Sequence, residues 1–242
     1  MSAILKLDGV SKSFGAVTVA DSLSYELQQG EALGVIGPNG AGKTSMFNLI
    51  TGTLPSDSGR LVFAGQDVTR QSAATRSRSG IARSFQVPQP FSGLTVFENA
   101  MIAATQSAGL TGREAERLCL QILEQTELLS KANTLAGKLT LLDRKRLELT
   151  RALCAKPKLL LLDEIAGGLT EAECTSLVQT IKDIHASGVS IIWIEHVVHA
   201  LLAVVDRLIV IDFGKLVAQG DPKTVMDSKE VQEIYLGIEA DA

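Results

Sequence analysis

Gly37-Pro38-Asn39-Gly40-Ala41-Gly42-Lys43-Thr44 follows directly on the apolar run Ala32 to Ile36. The spelling is G-x-x-x-x-G-K-[ST], a pattern that works only as a turn from a strand into a helix. Both neighbours fit, because the apolar run reads as a buried strand and Thr44 to Ile50 as the helix. The glycines let the backbone curl so that successive N–H groups point at phosphate oxygens, and the helix adds its positive end. The expected cradle is Gly37, Pro38, Asn39, Gly40, Ala41, Gly42, Lys43, Thr44 and Ser45, with Lys43 reaching the β- and γ-phosphates of ATP and the Thr44 hydroxyl suited to Mg²⁺. A chance match in a chain of this length comes out at about one in a hundred, so a bare glycine turn is the weaker reading.

The 242 residues are 45% apolar and 21% charged, enough for one substantial core and without disordered or collagenous bias. A net charge of −4 supplies no global basic field, so nucleic acid is not an expected partner. Cys119, Cys154 and Cys174 lie far apart without C-x-x-C spacing, which argues against a disulfide framework and a zinc site and for a reducing cytosol. Met1 to Asp8 lacks a signal-peptide pattern. The most apolar region, Val189 to Phe213, is broken by Glu195, His196, His199, Asp206 and Arg207, so a membrane role is expected only through a partner.

Around the loop, Ile4, Leu5, Leu7 and Val10, then Leu23, Tyr25 and Leu27, and later Leu61 to Phe63, read as strands of a small antiparallel sheet, with Phe14-Gly15 in a turn. Thr111-Gly-Arg-Glu114 reads as a capping box opening a helix with Ala115, Leu118, Cys119, Ile122 and Leu123 inward. Strand, helix, strand then resumes with Leu159 to Leu162, a helix capped at Thr170-Glu-Ala-Glu173 with Leu177, Val178, Ile181 and Ile184 inward, and Ser190 to Ile194, implying parallel pairing. The expected fold is α/β: a P-loop NTPase (RecA-like) core with an N-terminal antiparallel β subdomain and an inserted helical subdomain. Residues 1–86 and 154–220 form the catalytic core with the β subdomain, 87–153 the helical insertion, and 221–242 a tail.

Leu159 to Leu162 ends in Asp163-Glu164, the aliphatic strand and acid that such NTPases pair with the phosphate loop. Asp163 is placed to hold Mg²⁺ through its hydration shell, and Glu164, one residue further out, to polarise a water for in-line attack on the γ-phosphate.

This order of motifs resembles the ATP-binding cassette (ABC) family, the ATPase subunits of ABC transporters, over essentially the whole chain. The resemblance implies that Phe14 stacks on adenine, the alternative being a phenylalanine packed into its turn. It implies that Gln86 meets Mg²⁺ and water at the joint to the helical subdomain, and that His196 hydrogen-bonds the γ-phosphate. His185 and His199 are read as structural. Members of the family close as head-to-tail dimers, each nucleotide being completed by an L-S-G-G-Q segment of the opposite chain. Here that segment is Leu139-Thr140-Leu141-Leu142-Asp143, without either glycine. Thr140 keeps a hydroxyl at a helix start, but Leu141 and Leu142 add bulk, so a weakened surface and a different ATPase subunit as partner are expected. After Glu164, Ile165 to Thr170 also departs from the family's usual segment ending in Asp.

Gly80 to Gln86, Phe91 to Asn99, Trp193 to His196 and, in the ending, Gly220 to Pro222 and Val231 to Gly237 are similar to ATPase subunits of branched-chain amino acid importers. Such importers combine two different ATPases, two integral membrane permeases and a periplasmic solute-binding protein, and relatives carry amides, urea or aromatic acids. The resemblance thus places the chain peripherally on the cytoplasmic face of the inner membrane. Gln86 to Phe97, with Val87, Pro88, Pro90, Phe91, Leu94, Val96 and Phe97, is the expected permease contact. Arg70, Arg76, Arg78 and Arg83 read as a solvated face. The alternatives are a soluble ABC ATPase of DNA repair, translation or iron–sulfur assembly, and the ATPase subunit of a lipid exporter.

Overall fold

Alternating apolar residues at the start of the chain fold into a hairpin. In the computed structural model, which describes residues 2–236, Ala3–Phe14 forms β1 and Val17–Gln28 forms β2, antiparallel with Leu5 opposite Leu27 and Leu7 opposite Tyr25. β3 (Ala32–Ile36) leads through the glycine loop to α1 (Lys43–Thr51). β4 (Ser58–Phe63) and β5 (Gln66–Asp67) then complete a four-stranded sheet in the order β2-β1-β4-β5, the expected antiparallel unit.

α2 (Ala73–Ser79) and β6 (Ile81–Arg83) precede three helices, α3 (Val96–Gln106), α4 (Gly112–Gln125) and α5 (Leu141–Cys154). The alternation follows as β7 (Leu159–Asp163), α6 (Glu171–Ala186), β8 (Ser190–Ile194), α7 (Val198–Leu202), β9 (Arg207–Asp212) and β10 (Lys215–Gly220). α8 (Pro222–Met226) and α9 (Lys229–Leu236) end the described chain, so Gly237 and the rest of the expected tail lie outside the described residues.

The second sheet runs β10-β9-β3-β8-β7-β6, parallel except for β10. Its central strands are apolar between their ends because both faces are covered. Leu33, Val35, Leu159, Leu161, Ile192 and Ile194 enter the core under α1 and the hairpin, whereas Ile36, Leu160, Leu162, Ile191 and Trp193 enter the core shared with α6. Each such side chain contributes about 1.5–3 kcal/mol when fully buried, which holds five-residue strands in register.

The apolar region Val189 to Phe213 proves to be two strands, β8 and β9, joined through the short helix α7. Its charged residues lie in and around this connection: Asp206 Oδ2 accepts the Ala32 N–H at 2.8 Å, and Arg207 Nε donates to Glu31 Oε1 at 2.6 Å. Among the described residues no helix is long and apolar enough to cross a membrane.

The capping box at Thr170 and Glu173 forms as read, but that at Thr111 and Glu114 does not. Gly112 opens α4 with φ +53°, outside helical geometry, and the Thr111 side chain caps nothing. Thr95 and Glu98 form an unforeseen box at the start of α3. The solvated reading of the arginines also fails in part. Arg76 is 2% exposed and donates to the carbonyls of Leu49, Ile50 and Thr69, satisfying the end of α1. Arg83 is drawn inward by Asp163.

Candidate functional site

The glycine loop lies at the carboxyl end of β3, between its parallel neighbours β9 and β8. Close approach explains its spelling at both ends. A Cβ on Gly37 would stand 2.0 Å from the Ile211 carbonyl oxygen, and one on Gly42 2.3 Å from that of Val19, with φ +153° and +101°. Asn39, Gly40, Ala41, Gly42, Lys43, Thr44 and Ser45 line one cleft with Val19 and Glu164. Lys43 is folded back, donating to the Gly37 and Pro38 carbonyls at 2.7 and 2.9 Å. Burial lowers its pKa, against the raising pull of Glu164 and Asp163.

Glu164 follows β7 with φ +46°, a backbone conformation unusual for a residue with a side chain. Its N–H donates to Ile194 O at 2.9 Å. Gln86 Nε2 donates to Glu164 Oε2 at 2.5 Å, and His196 Nε2 lies 2.9 Å from Glu164 Oε1. A carboxylate only accepts, so Nε2 carries the imidazole proton in this contact. The structure therefore gathers Gln86, Glu164 and His196, from three separate segments, into one cluster facing the loop.

Asp163 is buried just behind. Arg83 Nη2 donates to its Oδ2 at 2.5 Å, whereas Oδ1 is buried without a hydrogen-bond partner. Burial raises the Asp163 pKa, opposed by Arg83. The unpaired buried carboxylate oxygen, the exposed Thr44 hydroxyl and the Gln86 amide oxygen are hard donors, the chemistry that Mg²⁺ prefers.

Phe14 is 54% exposed at the end of β1, so it is not packed into its turn, and it lines a cleft with Ser45 and Asn48. Thr140 stands apart. It is the exposed N-cap of α5, its oxygen accepts the Asp143 N–H, and its hydroxyl donates to Asp143 Oδ2 at 2.8 Å. Lys131 Nζ reaches the same oxygen at 2.5 Å. Burial pushes the Asp143 carboxyl up, but Lys131 and Thr140 outweigh it and hold the group below its usual range.

Sequence reasoning assigns no role in the site to three residues of this region. Arg83 is one, read from the sequence as a solvated face, and its signal was a cation ending a strand beside Asp163. Glu195 is 1% exposed and accepts the N–H groups of Ala166 at 2.6 Å and His196 at 3.0 Å. Lys145, 4% exposed on α5, donates to the Glu164 carbonyl at 3.4 Å. Burial raises the Glu195 pKa and lowers that of Lys145, each opposing the other's shift. His185 is structural as expected, bonded to the Gly30 carbonyl at 2.8 Å.

A phosphate loop after a central parallel strand, with the acid pair on the second strand over, defines a P-loop NTPase. A sequence model described as ABC transporter matches residues 20–167, and the chain belongs to that family, whose members are ATPases of membrane transporters. It is 31% identical over 235 residues to the lipopolysaccharide export system ATP-binding protein LptB of Haemophilus influenzae, covering 97% of this chain and 98% of the relative. It is 32% identical over 250 residues to a probable branched-chain amino acid transport ATP-binding protein, LivG, of Methanocaldococcus jannaschii, covering 97% of each. The crystal structure of an ATP-binding cassette of an ABC transporter in its ADP conformation superposes with a TM-score of 0.90 at 30% identity, covering 98% of this chain and all of that one.

Proposed function

We propose that this chain is the ATP-hydrolysing subunit of a membrane ABC importer for branched-chain amino acids or a related small polar or aromatic acid. The observation that carries the catalytic part is the convergence of Gln86 and His196 on Glu164 opposite the phosphate loop. Thr44, Gln86 and Asp163 would hold Mg²⁺, which when bound supplies charge stabilisation to the phosphates. Phe14 stacks on adenine, the loop N–H groups and Lys43 hold the phosphates, and His196 turns its Nε2–H from Glu164 to the γ-phosphate. The freed Glu164 carboxylate accepts a proton from water as the water oxygen bonds to the γ-phosphorus, and the bond to ADP breaks.

The altered signature segment supports a heterodimer. The Thr140 hydroxyl donates its hydrogen bond to Asp143, and Leu141 is 47% exposed where the family brings backbone to the partner's γ-phosphate. A second ABC ATPase with an intact segment would complete this chain's nucleotide. One of the two permeases would dock on the groove lined by Phe85, Phe91, Ile102 and Arg151, the other on the partner ATPase, holding the chain peripherally at the cytoplasmic membrane face. Val87 is 66% exposed and fits such a contact, whereas Val96 is fully buried and Phe97 packs on the core, so both leave the expected surface.

The import reading rests on likeness to branched-chain amino acid transport ATPases, and the similar identity to LptB favours lipopolysaccharide or lipid export as the second reading. Affinity capture of the tagged chain from native membranes separates them. Co-purification of a second ATPase, two multi-span proteins and a periplasmic solute-binding protein is the expected result. Capture of membrane partners that bind lipopolysaccharide would overturn import, and capture of soluble partners alone would overturn transport.

A further inference from the structure

Arg83 ends β6 at the edge of the parallel sheet, directly beside β7. Its guanidinium is a fork with both arms engaged: Nη2 donates to Asp163 Oδ2 at 2.5 Å and Nη1 to Asn48 Oδ1 of α1 at 2.6 Å. The side chains of Arg83 and Asp163 are 7% and 4% exposed. Two aromatic rings fix the plane, with Cζ lying 5.4 Å from the Phe47 centroid and 5.1 Å from that of Phe85. One residue thus joins the helix of the phosphate loop, the strand leading to Gln86 and the acid on β7.

A buried ion pair is weak support for stability, because an apolar replacement is often as stable, so its presence calls for another reason. The geometry supplies one. With Oδ2 committed to Arg83, Asp163 presents only Oδ1, buried and unpaired. A carboxylate pinned by one oxygen offers the other in one direction, whereas an unpinned one turns freely. Phe85 is 47% exposed and lies between two clefts, lining both the groove with Phe91 and Ile102 and the cleft that Arg83 shares with Phe14, Ser45 and Asn48. The ring open to that groove therefore rests on the guanidinium that aims Asp163.

We propose that Arg83 is a positioning residue that sets the Mg²⁺ affinity of the nucleotide site by aiming Asp163, with Phe85 bracing it from the groove side. The inference rests on the ATPase reading of Asp163 as a metal carboxylate. Lysine is no equivalent here, since it keeps the charge but loses the fork and the planar stacking.

The test titrates a fluorescent ATP analogue into the full-length chain across a range of Mg²⁺ concentrations and also in EDTA. Wild type, Arg83→Lys, Arg83→Met and Phe85→Ala are compared. The Mg²⁺ concentration for half-maximal enhancement of binding should rise about tenfold in Arg83→Met, which loses charge and fork, and a few-fold in Arg83→Lys and Phe85→Ala. Binding in EDTA reports a folded loop and any change in the Phe14 cleft that Arg83 and Phe85 also line, so each variant's Mg²⁺ midpoint is read against its own binding in EDTA; Arg83→Lys and Phe85→Ala carry the test if Arg83→Met does not fold. An unchanged Mg²⁺ midpoint in the folded variants, beside a Mg²⁺-dependent wild type, overturns the role of Arg83 alone. A wild type whose nucleotide binding ignores Mg²⁺ overturns the metal reading of Asp163, and this inference with it.

Discussion

Replacing Glu195 by glutamine changes one atom type in the least exposed carboxylate of the site, and the structure gives the consequence. Glu195 accepts two backbone N–H groups, from Ala166 and His196, one on each oxygen. Glutamine keeps one acceptor oxygen and turns an NH₂ toward the other N–H, stranding a buried donor at a cost of about 1–3 kcal/mol. The change also removes the anion facing buried Lys145. Breaking a buried pair in contact costs about 3–5 kcal/mol, and the value here is smaller because Lys145 bonds to the Glu164 carbonyl rather than to Glu195 itself. Together these give about 2–5 kcal/mol. Each kcal/mol moves Tm by about 2–4 °C in a chain of this size, so the Tm of Glu195→Gln should lie roughly 4–20 °C lower. Because both N–H groups belong to the segments that present Glu164 and His196, kcat should fall while KM for ATP holds. The assay is a melting curve beside steady-state ATP turnover. A Tm within about 2 °C of wild type would refute the reasoning, since the buried acceptor would then carry no energy.

Gly42→Ala places a methyl on the Val19 carbonyl at φ +101°, so nucleotide affinity should fall roughly tenfold or more in an equilibrium titration, with unchanged affinity counting against the cradle. Replacing Leu141 and Leu142 by glycine should raise the chain's ATP turnover by itself about tenfold, equivalent to about 1.4 kcal/mol of restored transition-state contact; no increase would mean that side-chain bulk does not limit the signature segment. Tyr25 is buried with its hydroxyl on Met46 Sδ, and burial raises its pKa well above that of an exposed phenol. Its contribution to stability is therefore present below about pH 10 and lost as pH rises beyond it, where only the unfolded phenol ionises readily. Melting curves at neutral and alkaline pH should show a steeper alkaline loss in wild type than in Tyr25→Phe.

The apolar runs Ala32 to Ile36, Leu159 to Leu162 and Ser190 to Ile194 revealed the parallel sheet because strands covered on both faces have no polar alternation to confuse the reading. β9 was harder to see, since Asp206 and Arg207 at its head resemble a surface break. Both residues in fact tie the strand to β2 and β3. The box at Thr111 had the right letters, and failed on one backbone angle at Gly112 that letters do not encode. Within the site, the phosphate loop, Asp163 and Glu164 were legible because local backbone geometry dictates their residue types. Gln86, His196 and Phe14 entered only through family resemblance, and the structure brings the first two onto Glu164. The burial of Arg83, Lys145 and Glu195 was not legible because a charged residue normally signals solvent, and only the three-dimensional neighbours of these explain it.

The central claim is that Glu164 activates the water that attacks ATP. Its most direct test is single-turnover hydrolysis by wild type and Glu164→Gln, each bound to radiolabelled ATP with Mg²⁺ and, where captured, its partner ATPase. The account predicts ATP affinity within about threefold of wild type and a hydrolysis rate lower by about 10²–10⁴-fold, the usual contribution of a positioned general base. Hydrolysis by Glu164→Gln at the wild-type rate would contradict it and place the catalytic base elsewhere.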